Sequence, residues 1–376
     1  MKIINATKTV SVKLYPTKTE QAFLRHTMQE YKKACNIISD FVFRTHILSS
    51  NNIQRYLYST LRQETTLPSQ MICSAIRDVV GKYKSLISNK HRWRKIKFSK
   101  NKVSYQWRKD YSLVKGDMSI ATVNGRVHIG FAKKYVAPYF DVNTYQFGGA
   151  TLIERNGKFY MQIAVKYSVP DFDEDNVACI VGLDRGENFL VAGYDSYGNS
   201  LFEKGRPVKA KRNKYKKVRE SLQKRNTASA RRRLKKIGQR EHGYVNDVNH
   251  CITKALVESY PNNTVFVLED LKGIRKNTEH KRAKKNRYFC SSWSFYDLDL
   301  KLSYKANEHG SKVIHVPAAY TSQRCPCCGY TDKKNRNKRK HLFFCQECCY
   351  TSNDDRVAAL NLYQEGVKLY PNTVVS

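Results

Sequence analysis

Two cysteine pairs, Cys325-Pro-Cys-Cys328 and Cys345-Gln-Glu-Cys348, are separated by a basic, turn-rich loop. Two residues between thiolates let both sulfurs of a pair reach one ion. Four thiolates at about 2.3 Å close a tetrahedral zinc site and leave no position for water, so the zinc is structural rather than catalytic. Cys327 and Cys349 compete as ligands. Gly329 follows the first pair and favours Cys328 over Cys327; the matching position of the second pair is Cys349, which favours Cys348. Free thiols or a redox pair are the alternative reading. Cys35, Cys73, Cys179, Cys251 and Cys290 are scattered and read as packing residues.

Three carboxylates stand at the ends of apolar runs or of a helix. Asp184 ends Ile180–Leu183, Glu269 ends Thr264–Leu268, and Asp355 lies just before or at the start of the last helix. Acids so distant along the chain can still meet at one edge of a sheet. Hard divalent cations take oxygen ligands. Two magnesium ions about 4 Å apart would activate a water and stabilise the leaving oxygen of a phosphodiester. Asp270 and Asp354 are adjacent competitors, and surface or capping roles are open to all of these acids.

The elements that must position them can be read in outline. Val10, Val12 and Leu14 alternate as a strand, and Thr17-Lys-Thr-Glu20 is a capping box. Leu24, Met28, Tyr31, Cys35, Ile38 and Val42 then repeat at helical spacing, and helical signals continue, broken near Ser49 and Pro68, to about Lys90. From Phe98 the pattern is β, with hairpin turns expected at Asn124-Gly125 and Asn156-Gly157. The domains expected are a β-barrel from 1–16 and 98–170 with a helical bundle, 17–97, inserted. Asp171 to Asp175 reads as an acidic linker. From 176 to 376, three meandering strands are followed by alternating helix and strand, an RNase H-like order, with a zinc-binding module inserted at 321–351. The fold class is therefore mixed α and β.

The chain has 376 residues, with Lys plus Arg 68 against Asp plus Glu 32, a formal net charge of +36. Such self-repulsion calls for a polyanionic partner, and nucleic acid is the natural one. No long amphipathic or spanning segment and no signal peptide stands out, which points to a cytoplasmic protein that does not engage a membrane. Lys204 to Arg240 is the densest basic stretch and is assigned to a nucleic-acid backbone, with a solvated helical face as the alternative. Lys333 to Lys340, between the cysteine pairs, is assigned likewise, with a solvated loop as the alternative. His91–Phe98 and Tyr105–Lys109 interleave aromatic and basic residues, which suits base stacking or a barrel core equally.

The second half resembles the TnpB-type proteins of bacterial insertion sequences, relatives of type V CRISPR effectors. The stretches that carry the resemblance are GLDRG around Asp184, VLEDL around Glu269, SWSFYDLDLKLSYKANEHGSKV from Ser292, AYTSQRCPCCG, FFCQECC and TSNDDRVAALNL. It covers residues 175–365, with a weaker echo in VSVKLYPTKTEQ. It implies a RuvC nuclease domain with an inserted zinc module, and catalytic acids Asp184, Glu269 and Asp355 holding Mg2+. Cys325, Cys328, Cys345 and Cys348 are the expected Zn2+ ligands. It also implies a guide RNA and a double-stranded DNA target, with one monomer per guide RNA favoured, in a bacterial cytoplasm and on the nucleoid when bound to DNA. The family often has Asn-Ala-Asp-x-Asn where this chain has Asn353-Asp354-Asp355-Arg356-Val357, and a glycine where it has Cys349. The function expected is RNA-guided DNA endonuclease. A non-cleaving RNA-guided repressor and a strand-transfer transposase are the alternatives.

Overall fold

The computed structural model describes residues 3–114, 116–139, 141, 144–186, 188–271, 295–317 and 319–371. The chain forms two compact units, residues 5–168 and the remainder.

The first unit opens on β1 (Ile3–Lys13) and then Thr17, whose side chain accepts from Glu20 N while the Glu20 carboxylate accepts from Thr17 N at 2.7 Å. This reciprocal cap starts α1 (Lys18–Thr45); Ser49 caps α2 (Ser50–Glu64) and Pro68 precedes α3 (Ser69–Ser88). The apolar positions at helical spacing, Leu24 through Val42, are all buried. Six strands follow: β2 (Lys102–Tyr105), β3 (Tyr111–Val114), β4 (Asp117–Thr122), β5 (Gly125–Ile129), β6 (Tyr145–Arg155) and β7 (Lys158–Pro170). They make two sheets, β1-β7-β6-β2 and β3-β4-β5. Asn156 and Gly157 both take positive φ (52° and 73°), as a two-residue hairpin between twisted strands requires. The other turn differs from expectation: Thr122 pairs with Gly125, and only the glycine, at φ 98°, enters the left-handed half of the map.

The second unit is built on a five-stranded sheet. β8 (Cys179–Asp184), β9 (Phe189–Asp195) and β10 (Ser200–Lys204) meander antiparallel. A helical hairpin follows, α4 (Arg206–Arg225) and α5 (Ala228–Glu258), joined by Asn226 in the left-handed conformation and by Thr227, which caps α5. Then come β11 (Thr264–Glu269), α6 (Phe295–Glu308) and β12 (Lys312–Val316). β11 pairs in parallel with β8 on one side and β12 on the other, giving the order β10-β9-β8-β11-β12. The cysteine-rich segment contributes β13 (Arg336–Asn337), β14 (Leu342–Phe344) and β15 (Thr351–Asn353), and β15 runs straight into α7 (Asp354–Leu369).

Side chains alternate across a strand, and this assigns the faces. Cys179, Val181 and Leu183 of β8 pack with Phe266 and Leu268 of β11 against Ile252 and Leu256 of α5 and Leu298 and Leu302 of α6. Ile180 of β8 and Val265 and Val267 of β11 pack against Leu362 of α7 on the other face. Gly182 lets α7 lie directly on the sheet. A Cβ there would stand 2.1 Å from the Ala359 carbonyl oxygen and 2.4 Å from the Tyr363 nitrogen, so any side chain would push the helix off.

The basic segment Lys204–Arg240 is this hairpin and its flanks. Among its few apolar residues, Leu222, Ala230 and Ile237 cluster with Tyr215 and Leu234, and charge closes another part of the interface. Arg212, 2% exposed, faces Glu241 at 3.5 Å, and Arg219 reaches the same carboxylate at 2.5 Å. Of the cysteines read as packing residues, Cys35 and Cys179 are buried, and Cys73 partly. Cys251 is a correction: it lies on the solvent side of α5, where the helix turns its buried stripe, Asn249, Ile252, Thr253 and Leu256, toward the sheet and α6. Cys290 lies outside the described residues.

Candidate active site

Parity and register bring two of the acids together. Asp184 follows Ile180 and Gly182 on the α7 face of β8, and Glu269 follows Val265 and Val267 on the same face of β11. Leu183 pairs with Leu268, so the next residue of each parallel strand stands beside the other. α7 lies on that face, and its first turn carries Asp355. Asn353 caps this helix, accepting from Asp355 N at 3.0 Å and Arg356 N at 3.1 Å, which fixes the backbone of the third acid.

Asp184 feels the charges of both other acids. The Asp184 carboxyl is pushed up to about 7 by burial first, then by the charges of Glu269 and Asp355. Burial also raises Glu269, against the hydrogen bond from Thr321 and the charges of Arg185 and Arg336. Asp355 is raised by burial and by Asp354 beside it. Burial raises all three carboxyls, so a cation beside them would favour their ionised forms, and all-oxygen donors suit magnesium over softer ions.

Several neighbours escaped sequence reasoning. Arg336 donates from Nε to Asp354 at 2.7 Å and from Nη2 to Asp355 at 3.2 Å. It sat unremarked in the basic run Lys333–Lys340; only the pairing of β13 with β14, and β14 with β15, brings it to the start of α7. Arg185, 3% exposed, donates to the Glu269 carbonyl at 2.6 Å and to Asp299 of α6 at 3.0 Å. His315 contacts the same Asp299 at 2.9 Å. Thr321 donates to the Glu269 carboxylate. His341 places Nδ1 3.3 Å from Asp354 and 3.7 Å from Asp355. Asp354, named in the sequence as a competitor, is 1% exposed and belongs to this network; Asp270 uses its backbone N–H on the Val316 carbonyl.

The cysteine-rich segment brings four thiols together: the sulfurs of Cys325, Cys328, Cys345 and Cys348 lie within 4.8 Å of one another. The Cys325–Cys348 and Cys328–Cys345 sulfurs are 3.5 and 3.6 Å apart. Tetrahedral zinc with bonds of about 2.3 Å separates its sulfurs by about 3.8 Å, so the cluster fits that ion. The two knuckles are near copies. Gly329 N donates to Cys325 O at 3.0 Å and Cys349 N to Cys345 O at 3.1 Å; Cys325 N and Cys345 N take Tyr330 O and Tyr350 O at 2.8 and 2.9 Å. Gly329 has φ 78° and Cys349 φ 60°, so the cysteine adopts the glycine's conformation and the turn is preserved. Cys327 and Cys349 are exposed and outside the cluster. Beside the knuckles a groove of about 600 Å³ is lined by Lys333, Lys334, Arg336, Lys338 and Arg339, with Ser322, Gln323 and Asn337. Among the described residues no helix is long and apolar enough to cross a membrane.

Residues 162–275 match the family model OrfB_IS605, described as "Probable transposase", and residues 295–362 match the Cas12f1-like TNB domain. The chain is similar to InsQ of Escherichia coli strain K12, named for a proposed RNA-guided DNA endonuclease activity. The two are 28% identical over 233 residues, 57% of this chain and 56% of the relative. It is 33% identical over 121 residues to the CRISPR-associated endodeoxyribonuclease Cas12f1 of Syntrophomonas palmitatica, 32% of this chain and 23% of the relative. A Methanocaldococcus jannaschii protein bearing a transposase name is 37% identical over 76 residues, 19% of this chain and 70% of the relative. The matches to InsQ and Cas12f1 thus span about half or less of those relatives' own length. The solved mini-RNA-guided endonuclease CRISPR-Cas_phi3 shares the fold, with a TM-score of 0.55 at 11% identity over 96% of this chain and 92% of that one.

Proposed function

This chain belongs to the TnpB-type family of OrfB_IS605 proteins, and from that premise we propose that it is an RNA-guided DNA endonuclease. In this reading the five-stranded sheet with α4–α7 is a RuvC-like, RNase H-like nuclease domain, and the first unit is a barrel with an inserted helical bundle. One observation supports it: Asp184 and Glu269 end adjacent parallel strands on the face that α7 covers, and the charges of Glu269 and Asp355 both act on Asp184. The names of relatives such as InsQ and Cas12f1 support the same reaction class.

Asp184, Glu269 and Asp355 would hold divalent magnesium, which when bound activates water and stabilises the leaving oxygen in phosphodiester hydrolysis. The chain's own groups prepare that site. Thr321 orients Glu269, Arg185 fixes the end of β11 through its carbonyl, and the Asn353 cap fixes Asp355. Arg336 brings a permanent positive charge to the acids, where it can meet a phosphate. The groove of Lys333, Lys334, Lys338 and Arg339 leads a nucleic-acid backbone toward it. The exposed lysines and arginines of α4 and α5 hold guide RNA or its duplex with DNA, one protein per guide.

The test combines sequencing of RNA that copurifies with the protein and a plasmid-cleavage assay with magnesium. A discrete transcript, magnesium-dependent cutting of a matching plasmid, and loss of cutting but not of RNA in Asp184→Ala are expected. Random cellular RNA, or wild-type cutting by that variant, would overturn the proposal. Binding without cutting by the wild type would favour the repressor reading, and cutting or joining without RNA the transposase reading.

A further inference from the structure

Asp354 stands where the family's Asn-Ala-Asp-x-Asn pattern has alanine, so that pattern assigns it no role. A carboxylate 1% exposed is costly unless charges pair it. Here they do. Asp354 takes Arg336 Nε on Oδ2 at 2.7 Å and faces His341 Nδ1 with Oδ1 at 3.3 Å. Arg336 then has Nη2 for Asp355 Oδ1 at 3.2 Å, and Asp355 Oδ2 faces His341 at 3.7 Å. The other nitrogen of His341 is held by Asn188 at 3.2 Å.

An arginine with a single carboxylate partner closes onto it as a two-pronged fork. Left with Asp355 alone, Arg336 would engage both its oxygens and compete with any ion for them. The second, deeper carboxylate occupies Nε and reduces the contact with Asp355 to one prong on one oxygen. We propose that Asp354 is a positioning residue. It anchors Arg336 at the edge of the acid cluster, close to Asp355 but unable to cover it, and so keeps Asp355 available to a divalent ion while the guanidinium remains at hand. The inference rests on the reading of Asp355 as a metal ligand. It assigns to this chain a four-group network, Arg336, His341, Asp354 and Asp355, in which the zinc module supplies the cation and the imidazole.

The test uses the full-length protein with its copurified RNA and two readouts: Mn2+ uptake followed by electron paramagnetic resonance, and cleavage kinetics. Asp354→Ala is expected to weaken Mn2+ binding by about tenfold and to lower kcat by about 10- to 100-fold, the worth of one charge-assisted hydrogen bond, with KM for DNA unchanged. Asp354→Asn keeps an acceptor for Nε and should fall between that variant and the wild type; it also serves if the alanine variant folds poorly. Because Asp354 acts through Arg336, adding Asp354→Ala to Arg336→Met should lower kcat little further. Mn2+ uptake and cleavage within twofold of wild type in Asp354→Ala, or fully additive losses in the double variant, would overturn the proposal. A wild type that takes up Mn2+ without cutting DNA would sink the nuclease reading alone, and the Mn2+ readout would still decide the role of Asp354.

Discussion

Gly182→Ala is a one-methyl perturbation whose effect can be worked from the contact it breaks. The added Cβ would stand 2.1 Å from the Ala359 carbonyl oxygen and 2.4 Å from the Tyr363 nitrogen, both backbone atoms of α7 that cannot rotate away. Relief requires the helix to withdraw from β8 by about 1 Å, the scale at which misplacing a reacting group costs about 100-fold in rate. Asp355 lies one turn before Ala359, so the displacement is delivered to the third acid. Overpacking should also destabilise the fold by about 1–3 kcal/mol. Single-turnover cleavage of a guide-matched plasmid should fall about 100-fold, with guide affinity unchanged, because α5 packs on the opposite face of the sheet. Gly366→Ala is the control. Its Cβ meets the Cγ2 atoms of Ile180 and Val267 at 2.7 Å near the far end of α7, so it should cost stability with a smaller loss of activity. Cleavage by Gly182→Ala within threefold of wild type would refute the claim that this glycine seats Asp355.

Three further outcomes are expected. Cys348→Ser should lose zinc by native mass spectrometry, whereas Cys349→Gly should keep it and gain about 1 kcal/mol, because a β-carbon at φ 60° is strained and glycine is not; zinc loss in Cys349→Gly would contradict the ligand assignment. In magnesium-free protein, the Asp184 carboxyl at about 7 lies above its unfolded value of about 3.9, so the folded state holds the proton more tightly. Stability should therefore fall as pH rises from about 4 to about 7 and level off above, and Asp184→Asn should remove most of that fall; denaturant curves identical for the two proteins would count against the coupling. Asn353→Ala removes the acceptor of two backbone N–H groups and should cost about 1 kcal/mol in thermal unfolding; an unchanged midpoint would deny the cap its role.

The acids that end apolar runs were legible because a strand that must be buried on both faces admits a carboxylate only at its tip. Asp184 and Glu269 are such residues, and the cysteine pairs declared themselves by spacing. Asp355 was legible as a helix-start acid, but spacing alone did not separate it from Asp354. What the sequence hid was contributed by distant segments. Arg336 resembles every other cation of Lys333–Lys340, and only the short β13-β14-β15 sheet singles it out. Arg185 is buried because α6 supplies Asp299, a partner more than a hundred residues away. Apolar residues of the α4–α5 hairpin such as Leu222, Ala230 and Ile237 are sparse among its cations because Glu241, Arg212 and Arg219 occupy part of the interface. Cys251 was misread for the opposite reason: cysteine is a buried residue on average, and its position on α5 faces water.

The most direct measurement of the central claim is anomalous diffraction from crystals of the guide-bound protein soaked in Mn2+. Two peaks held by Asp184, Glu269 and Asp355 are expected, both lost in Asp184→Ala, with zinc retained among the four cysteines. Soaks at saturating Mn2+ that place no ion between these three acids, in protein that still cuts its guided target, would contradict it.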